Sequence, residues 1–250
     1  MKKICVTLIT VLLSVPLFAQ EGPIRASSQN PFWELMVRYI EIEEANKAMG
    51  EDPNSIENIE GSPYYPEEFA KGNVYMLDKV KQKGVYLRYN MLSDEIEIKE
   101  NKYSEEYAAL IKDPQIYARV ADRTMIFAPY LESVEKGGYF SLVSSGNPYD
   151  LYKKSTVEFK EFKTTTAYSG AQKAKFEMTE DYYLVNKKGN FFKLPQTRNK
   201  ILKVMDEFED EVRNYISSRN IILSEEKNVI SLFNYYNVLL TRKAIAEEGK

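Results

Sequence analysis

Apolar and polar residues alternate along Val85–Lys99. Val85, Leu87 and Tyr89 fall on one side of an extended chain, and Tyr86 and Arg88 on the other. After a break at Asn90, Ser93 and Asp94, Ile96 and Ile98 alternate with Glu95, Glu97 and Lys99. A period of two predicts a β-hairpin with one apolar face, in which Arg88 stands across from Glu95 or Glu97. A cross-strand charge pair of that kind contributes about 0.2–1 kcal/mol.

The same reading predicts strands at Gly72–Leu77, Ile116–Val120, Thr124–Leu131, Tyr139–Ser144, Tyr149–Phe162, Phe176–Val185 and Phe191–Leu194. Thr124–Leu131 is apolar on both faces, which suits a central strand. Turns are expected at Tyr64–Phe69 around Pro66, at Lys136-Gly137-Gly138, at Gly146-Asn147-Pro148 and at Lys187–Asn190. Tyr103–Ile111 fits a short helix or a strand, and 163–175 is polar, an exposed loop or linker. About eight to ten short antiparallel strands imply a curled sheet, either a sandwich or a partial barrel.

The period changes after Pro195. Ile201, Val204/Met205, Phe208, Val212 and Tyr215/Ile216 form a helical stripe behind Thr197 as N-cap, with the acidic run Asp206–Glu211 toward solvent. Ser224, as N-cap, opens a second helix with Glu225 and Glu226 in its first turn and a stripe at Val229, Leu232/Phe233, Tyr236 and Leu239/Leu240. The fold class expected is therefore α+β, an antiparallel β domain over 55–194 followed by an αα-hairpin over 195–250. Pro195-Gln196 is a short connection, so the helix pair is expected to dock on the sheet. Before the β domain, 20–54 reads as a lead-in and a helix over 31–49, started by Asn30-Pro31; within it Val37–Ile42 also fits a strand.

Residues 1–19 have the pattern of a secretory signal: a basic Met1-Lys2-Lys3, an apolar run from Ile4 to Phe18, and Ala19 before Gln20. That run is shorter than the roughly 20 residues a membrane-spanning helix needs. The expected location is the periplasm or the outside of the cell, in association with the outer membrane or free of it, and the chain is not expected to be an integral membrane protein. Cys5, the one cysteine, lies within the signal. Without Lys2 and Lys3 the 34 basic residues fall to 32 against 37 acidic, a formal charge of about −5, which disfavours nucleic acid as a partner. The sequence has no histidine, so Ser-His-Asp triads, Cys-His dyads and His-ligated metals are excluded.

Three groups of residues carry a resemblance. They are Gly61-Ser62-Pro63-Tyr64 with Phe69 and Gly72, Leu87-Arg88-Tyr89-Asn90 with Asp94-Glu95-Ile96-Glu97, and Leu232-Phe233-Asn234-Tyr235-Tyr236-Asn237. On these the chain resembles a group of secreted proteins of Bacteroidota-type Gram-negative bacteria, over about residues 55–240. The resemblance implies export to the periplasm or outer-membrane region and brings no catalytic or binding residue with it.

Candidate chemistry is sparse. Glu95 and Glu97 project from one strand face, roughly 6–7 Å apart, a spacing open to a glycosidase pair or a cation. The plainer reading is a solvated strand face balanced by Arg88 and Lys99. The 19 tyrosines stand out, and Tyr64, Tyr86, Tyr182 and Tyr235 are the candidate binding residues. No catalytic residue and no cofactor is assigned. The expected function is an exported, non-enzymatic binding or accessory protein whose partner is an envelope protein or an apolar ligand held against the sheet. The alternative is a carboxylate-dependent hydrolase using Glu95 and Glu97.

Overall fold

The alternating segments pair into one antiparallel sheet. The computed structural model describes residues 36–39, 59–130, 133–160 and 174–249. Its strands are β1 (Val37–Tyr39), β2 (Tyr64–Met76), β3 (Lys79–Asn90), β4 (Glu95–Lys99), β5 (Ala108–Leu110), β6 (Ile116–Val120), β7 (Arg123–Tyr130), β8 (Ser133–Ser144), β9 (Tyr149–Lys160), β10 (Lys175–Asn186) and β11 (Phe191–Leu194). They lie in the order β1-β5-β4-β3-β2-β6-β7-β8-β9-β10-β11. From β2 the chain runs outward as a meander to β5, returns to the other side of β2 as β6, and continues to β11. The order does not close into a barrel. It curls strongly, because Glu60, just before β2, makes a parallel bridge to Lys175 at the start of β10.

The β3–β4 hairpin forms as expected, and of the two partners open to Arg88 the register selects Glu97, with Tyr89 opposite Ile96. Leu87, Ile96 and Ile98 are fully buried in a first core with Val74, Ile116 and Phe127. A second core forms where Leu151, Tyr182, Leu184 and Leu194 meet the C-terminal helices. Both cores line the concave face. On β9, Leu151 enters the helix-side core and Val157 the hairpin-side core, and Lys153 and Ser155 sit buried between them.

Four local expectations are corrected. Val37–Tyr39 is a strand pairing with β5, not part of a helix over 31–49, whose other residues except Met36 lie outside those described. Tyr64–Phe69 belongs to β2, where a register shift between Tyr65 and Ala70 absorbs Pro66 and removes the need for a turn. Gly137 and Gly138 lie inside β8 and make no hairpin turn. A Cβ at Gly137 would come within 2.8 Å of the Ala128 carbonyl oxygen, and one at Gly138 within 2.5 Å of Lys154 Nζ, so close approach is the reason for both glycines.

The fourth correction concerns the helices, which number three. The expected first helix is divided into α1 (Arg198–Val204), a 3-10 turn (Asp206–Phe208) and α2 (Glu209–Ser218), followed by α3 (Glu226–Glu248). Met205 is fully buried at the bend. Glu209, Asp210 and Glu211 stand in the first turn of α2, where negative charge meets the positive end of the helix dipole, so part of the acidic run marks a second helix start. Ser224 does not cap α3; Glu225 holds that position without a side-chain bond. The helices do dock on the sheet, as the short connection predicts. Asn237, midway along α3, fixes that helix to β9 by accepting from the Tyr149 amide at 3.2 Å and donating to the Tyr149 carbonyl at 3.1 Å. The expected 163–175 loop falls outside the described residues except at its last two positions, and Lys175 already belongs to β10.

Candidate functional site

The motif residues hold the fold together. Arg88 Nε donates to Glu97 Oε2 at 2.6 Å, and Asn90 Nδ2 to Glu97 Oε1 at 3.0 Å. The Arg88 guanidinium lies 3.6 Å from the Tyr64 ring centroid and 4.3 Å from that of Phe69. Burial pushes the Tyr64 hydroxyl up to about 12, against the nearby Arg88 charge. Glu95 pairs with Lys112 at 3.2 Å. This face was expected to be solvated, yet Glu97 is only 1% exposed and Glu95 8%. Tyr64, Phe69 and Arg88 cover it, and Lys99 lies over the Phe69 ring at 4.6 Å. Among the described residues no cluster of three acidic, His or Cys side chains could hold a metal ion.

Asp94 does different work. The first half of β8 has separated from β9, since their register covers only Ser141, Leu142 and Ser144. Asp94 fills the seam: it accepts from the Tyr139 amide at 3.2 Å, the Tyr89 hydroxyl at 2.6 Å and Lys154 Nζ at 2.5 Å. Lys154 also donates to the Tyr139 carbonyl at 3.0 Å. The two side chains thus satisfy backbone groups that a neighbouring strand would otherwise pair. Burial pulls the Lys154 ammonium below its ordinary pKa, and the Asp94 carboxylate opposes that.

The open site lies between the two cores. A cleft of about 180 Å³ is walled by Asp122 and Arg123 at the β6–β7 turn, Ser141, Leu142 and Val143 of β8, Lys153 of β9, and Glu226 and Ile230 of α3. Lys153 sits at its base, its side chain 6% exposed, between Glu180 Oε1 at 3.1 Å and Glu226 Oε2 at 2.5 Å. Tyr182 donates to the same Glu226 oxygen at 2.9 Å. Arg123 stacks 3.4 Å from the Tyr65 ring centroid, and the Tyr65 hydroxyl donates to Asp122. Partial burial alone would raise the Glu226 carboxyl, but hydrogen bonds from Lys153 and Tyr182 outweigh it and hold the group below its ordinary pKa. Tyr182 is raised, first by burial and then by the Glu226 carboxylate.

Of the candidate residues, Tyr182 alone meets this cleft, through Glu226. Tyr64 covers the Arg88–Glu97 pair, Tyr86 lies beneath Lys71 at 5.9 Å, and Tyr235 stacks on Tyr215 of α2 with centroids 4.1 Å apart. Glu95 and Glu97 lie on the opposite, outer face. Sequence reasoning missed Arg123, Lys153, Glu180 and Glu226, which come from separate elements. One signal was available: Lys153 interrupts the inward row Leu151, Ser155, Val157. No helix among the described residues is long and apolar enough to cross a membrane. No protein-family model matches the chain, and neither a curated protein nor a solved structure matches it.

Proposed function

We propose that the mature chain is an exported, non-enzymatic binding or accessory protein of the periplasm or outer-membrane region, with the cleft at Lys153 and Arg123 as its ligand site. The signal pattern of residues 1–19 and the resemblance to secreted proteins support the location. The observation that carries the binding role is the cleft itself, a solvent-reachable opening with two cations in its wall, set where the sheet meets the helices. The concave sheet face elsewhere is filled by the first core and by α1–α3, so a small polar ligand fits better than the apolar ligand held against the sheet that the sequence suggests beside an envelope protein.

Hydrolysis is the weaker reading. Glu95 and Glu97 are buried, in ion pairs with Lys112 and Arg88, and are not among the residues that wall the cleft at Lys153. Glu180 and Glu226 do converge, but onto Lys153. A glycosidase needs one carboxyl kept protonated, with a raised pKa. Glu226 is shifted in the opposite direction.

The test is to titrate the mature protein with a small-molecule extract of the envelope while following its backbone amide resonances. Shifts concentrated at Ser141, Lys153 and Ile230 are expected. Turnover of chromogenic glycosides that disappears in Glu226→Gln would replace this reading with the hydrolase.

A further inference from the structure

Building on the cleft as a binding site, we propose that it takes a small organic carboxylate with a short apolar tail, and that Glu226 is the internal group such a ligand displaces. Glu226 already shows how a carboxylate binds here. One oxygen receives both Lys153 Nζ at 2.5 Å and the Tyr182 hydroxyl at 2.9 Å. Yet Glu226 is the outermost member of the network, its side chain 43% exposed against 6% for Lys153, and it is the first residue of α3, which has no side-chain cap. It can leave by a rotamer change into water. Lys153 then keeps Glu180 as a partner, so no isolated charge is buried.

A second donor group is in position. Arg123 donates to the Tyr65 hydroxyl and reaches Ser155 Oγ only at 3.5 Å and Glu180 Oε1 only at 3.8 Å. Charge-assisted hydrogen bonds run at about 2.7–2.9 Å. The guanidinium is therefore held in place by Tyr65, through stacking and a hydrogen bond, and the two long contacts leave donors of its five for a further acceptor. Asp122, the other acid at the mouth, is engaged by the Tyr65 hydroxyl. With Glu226 swung out, Arg123 and Lys153 face the cleft against Glu180, which favours an anion. Size and lining set the rest. Sites for drug-sized ligands occupy about 300–1,000 Å³, so 180 Å³ limits the occupant to a few heavy atoms, and Val143 and Ile230 offer an apolar wall for its tail.

Butyrate, butylamine and inorganic phosphate, titrated separately into the mature protein and followed by amide shifts, test this. Butyrate should bind at the cleft and butylamine should not. Glu226→Gln, which weakens the internal competitor, should tighten butyrate by about tenfold or more, and Arg123→Gln should loosen it by about tenfold. Tenfold corresponds to about 1.4 kcal/mol. Amide spectra of both variants, compared with wild type, establish that they are folded. No cleft shifts with butyrate in folded Glu226→Gln, equal butyrate affinity in folded Arg123→Gln and wild type, or a preference for butylamine would each overturn the proposal. Phosphate binding as well as butyrate, in folded protein and with the same response to Glu226→Gln, would overturn the carboxylate assignment in favour of a general anion site. If the envelope extract shifts the cleft resonances and butyrate does not, the binding role survives and the carboxylate ligand fails.

Discussion

The Arg88–Glu97 pair and the Lys153 cluster use the same chemistry in opposite settings. Arg88 and Glu97 sit on adjacent strands of one hairpin, under Tyr64 and Phe69, and both oxygens of Glu97 are taken. Lys153 draws together β9, β10 and α3 and opens on a cleft. In the hairpin, strand pairing has already made the partners neighbours, so little further ordering is needed to hold the pair. In the cluster, tertiary docking brings the partners together, and the outermost one keeps access to water. A closed pair fixes structure, and an open one leaves a contact that can be exchanged.

The largest test of this contrast removes the helices. Truncation after Leu194 uncovers Leu151, Tyr182 and Leu184, and is expected to give a β domain that aggregates or loses fixed side-chain packing, read by solubility and near-UV circular dichroism. A truncated chain that melts like the full-length protein would make the helices a separable module. Next, Glu97→Ala leaves the half-buried Arg88 charge, its side chain 15% exposed, without its carboxylate and is expected to cost about 3 kcal/mol in denaturant unfolding. Glu226→Ala, at a half-exposed position, should cost about 1 kcal/mol or less. Equal losses would erase the distinction.

Gly138→Ala sharpens the picture at the seam. The added methyl is placed 2.5 Å from Lys154 Nζ and 2.6 Å from Asp94 Oδ2, for an expected loss of about 1–2 kcal/mol. In a Lys154→Met background the loss should shrink, because one of the two groups in the way has gone. The smallest effect is the pH dependence of Glu226. Its folded pKa lies below the ordinary 4.5, so its contribution is present above that value and is lost as pH falls through the folded pKa. Melting temperatures of wild type and Glu226→Gln should therefore differ at neutral pH and converge in acid.

Much of the β architecture was legible because period-2 patterning is local. The β3–β4 hairpin with Arg88 across from one of two glutamates, the central place of β7 and the turns at Gly146–Pro148 and Lys187–Asn190 all follow from neighbouring residues. What failed depended on distant partners. A glycine pair serves a chain reversal or a close approach equally well, and only Asp94 and Lys154, far off in sequence, decide for Gly138. The helix break carries no glycine or proline. Its bend serves the burial of Met205, which residues 198–218 alone do not disclose. The site was least legible. Its charged residues lie on three strands and a helix with no fixed spacing, and only the buried lysine in the apolar row of β9 could have announced it.

The seam at Asp94 also bears on assembly of the chain. Its bonds to Tyr139 and Lys154 span 45 and 60 residues, so they can form only after the hairpin and the β8–β9 meander both exist. Until then that edge of β8 lacks the Asp94 and Lys154 side chains that close it in the folded chain, and an open strand edge is the kind of surface on which a second chain adds. A carboxylate and an ammonium at that edge disfavour such addition once the seam has closed. The interval of exposure is thus set by how quickly the hairpin reaches β8.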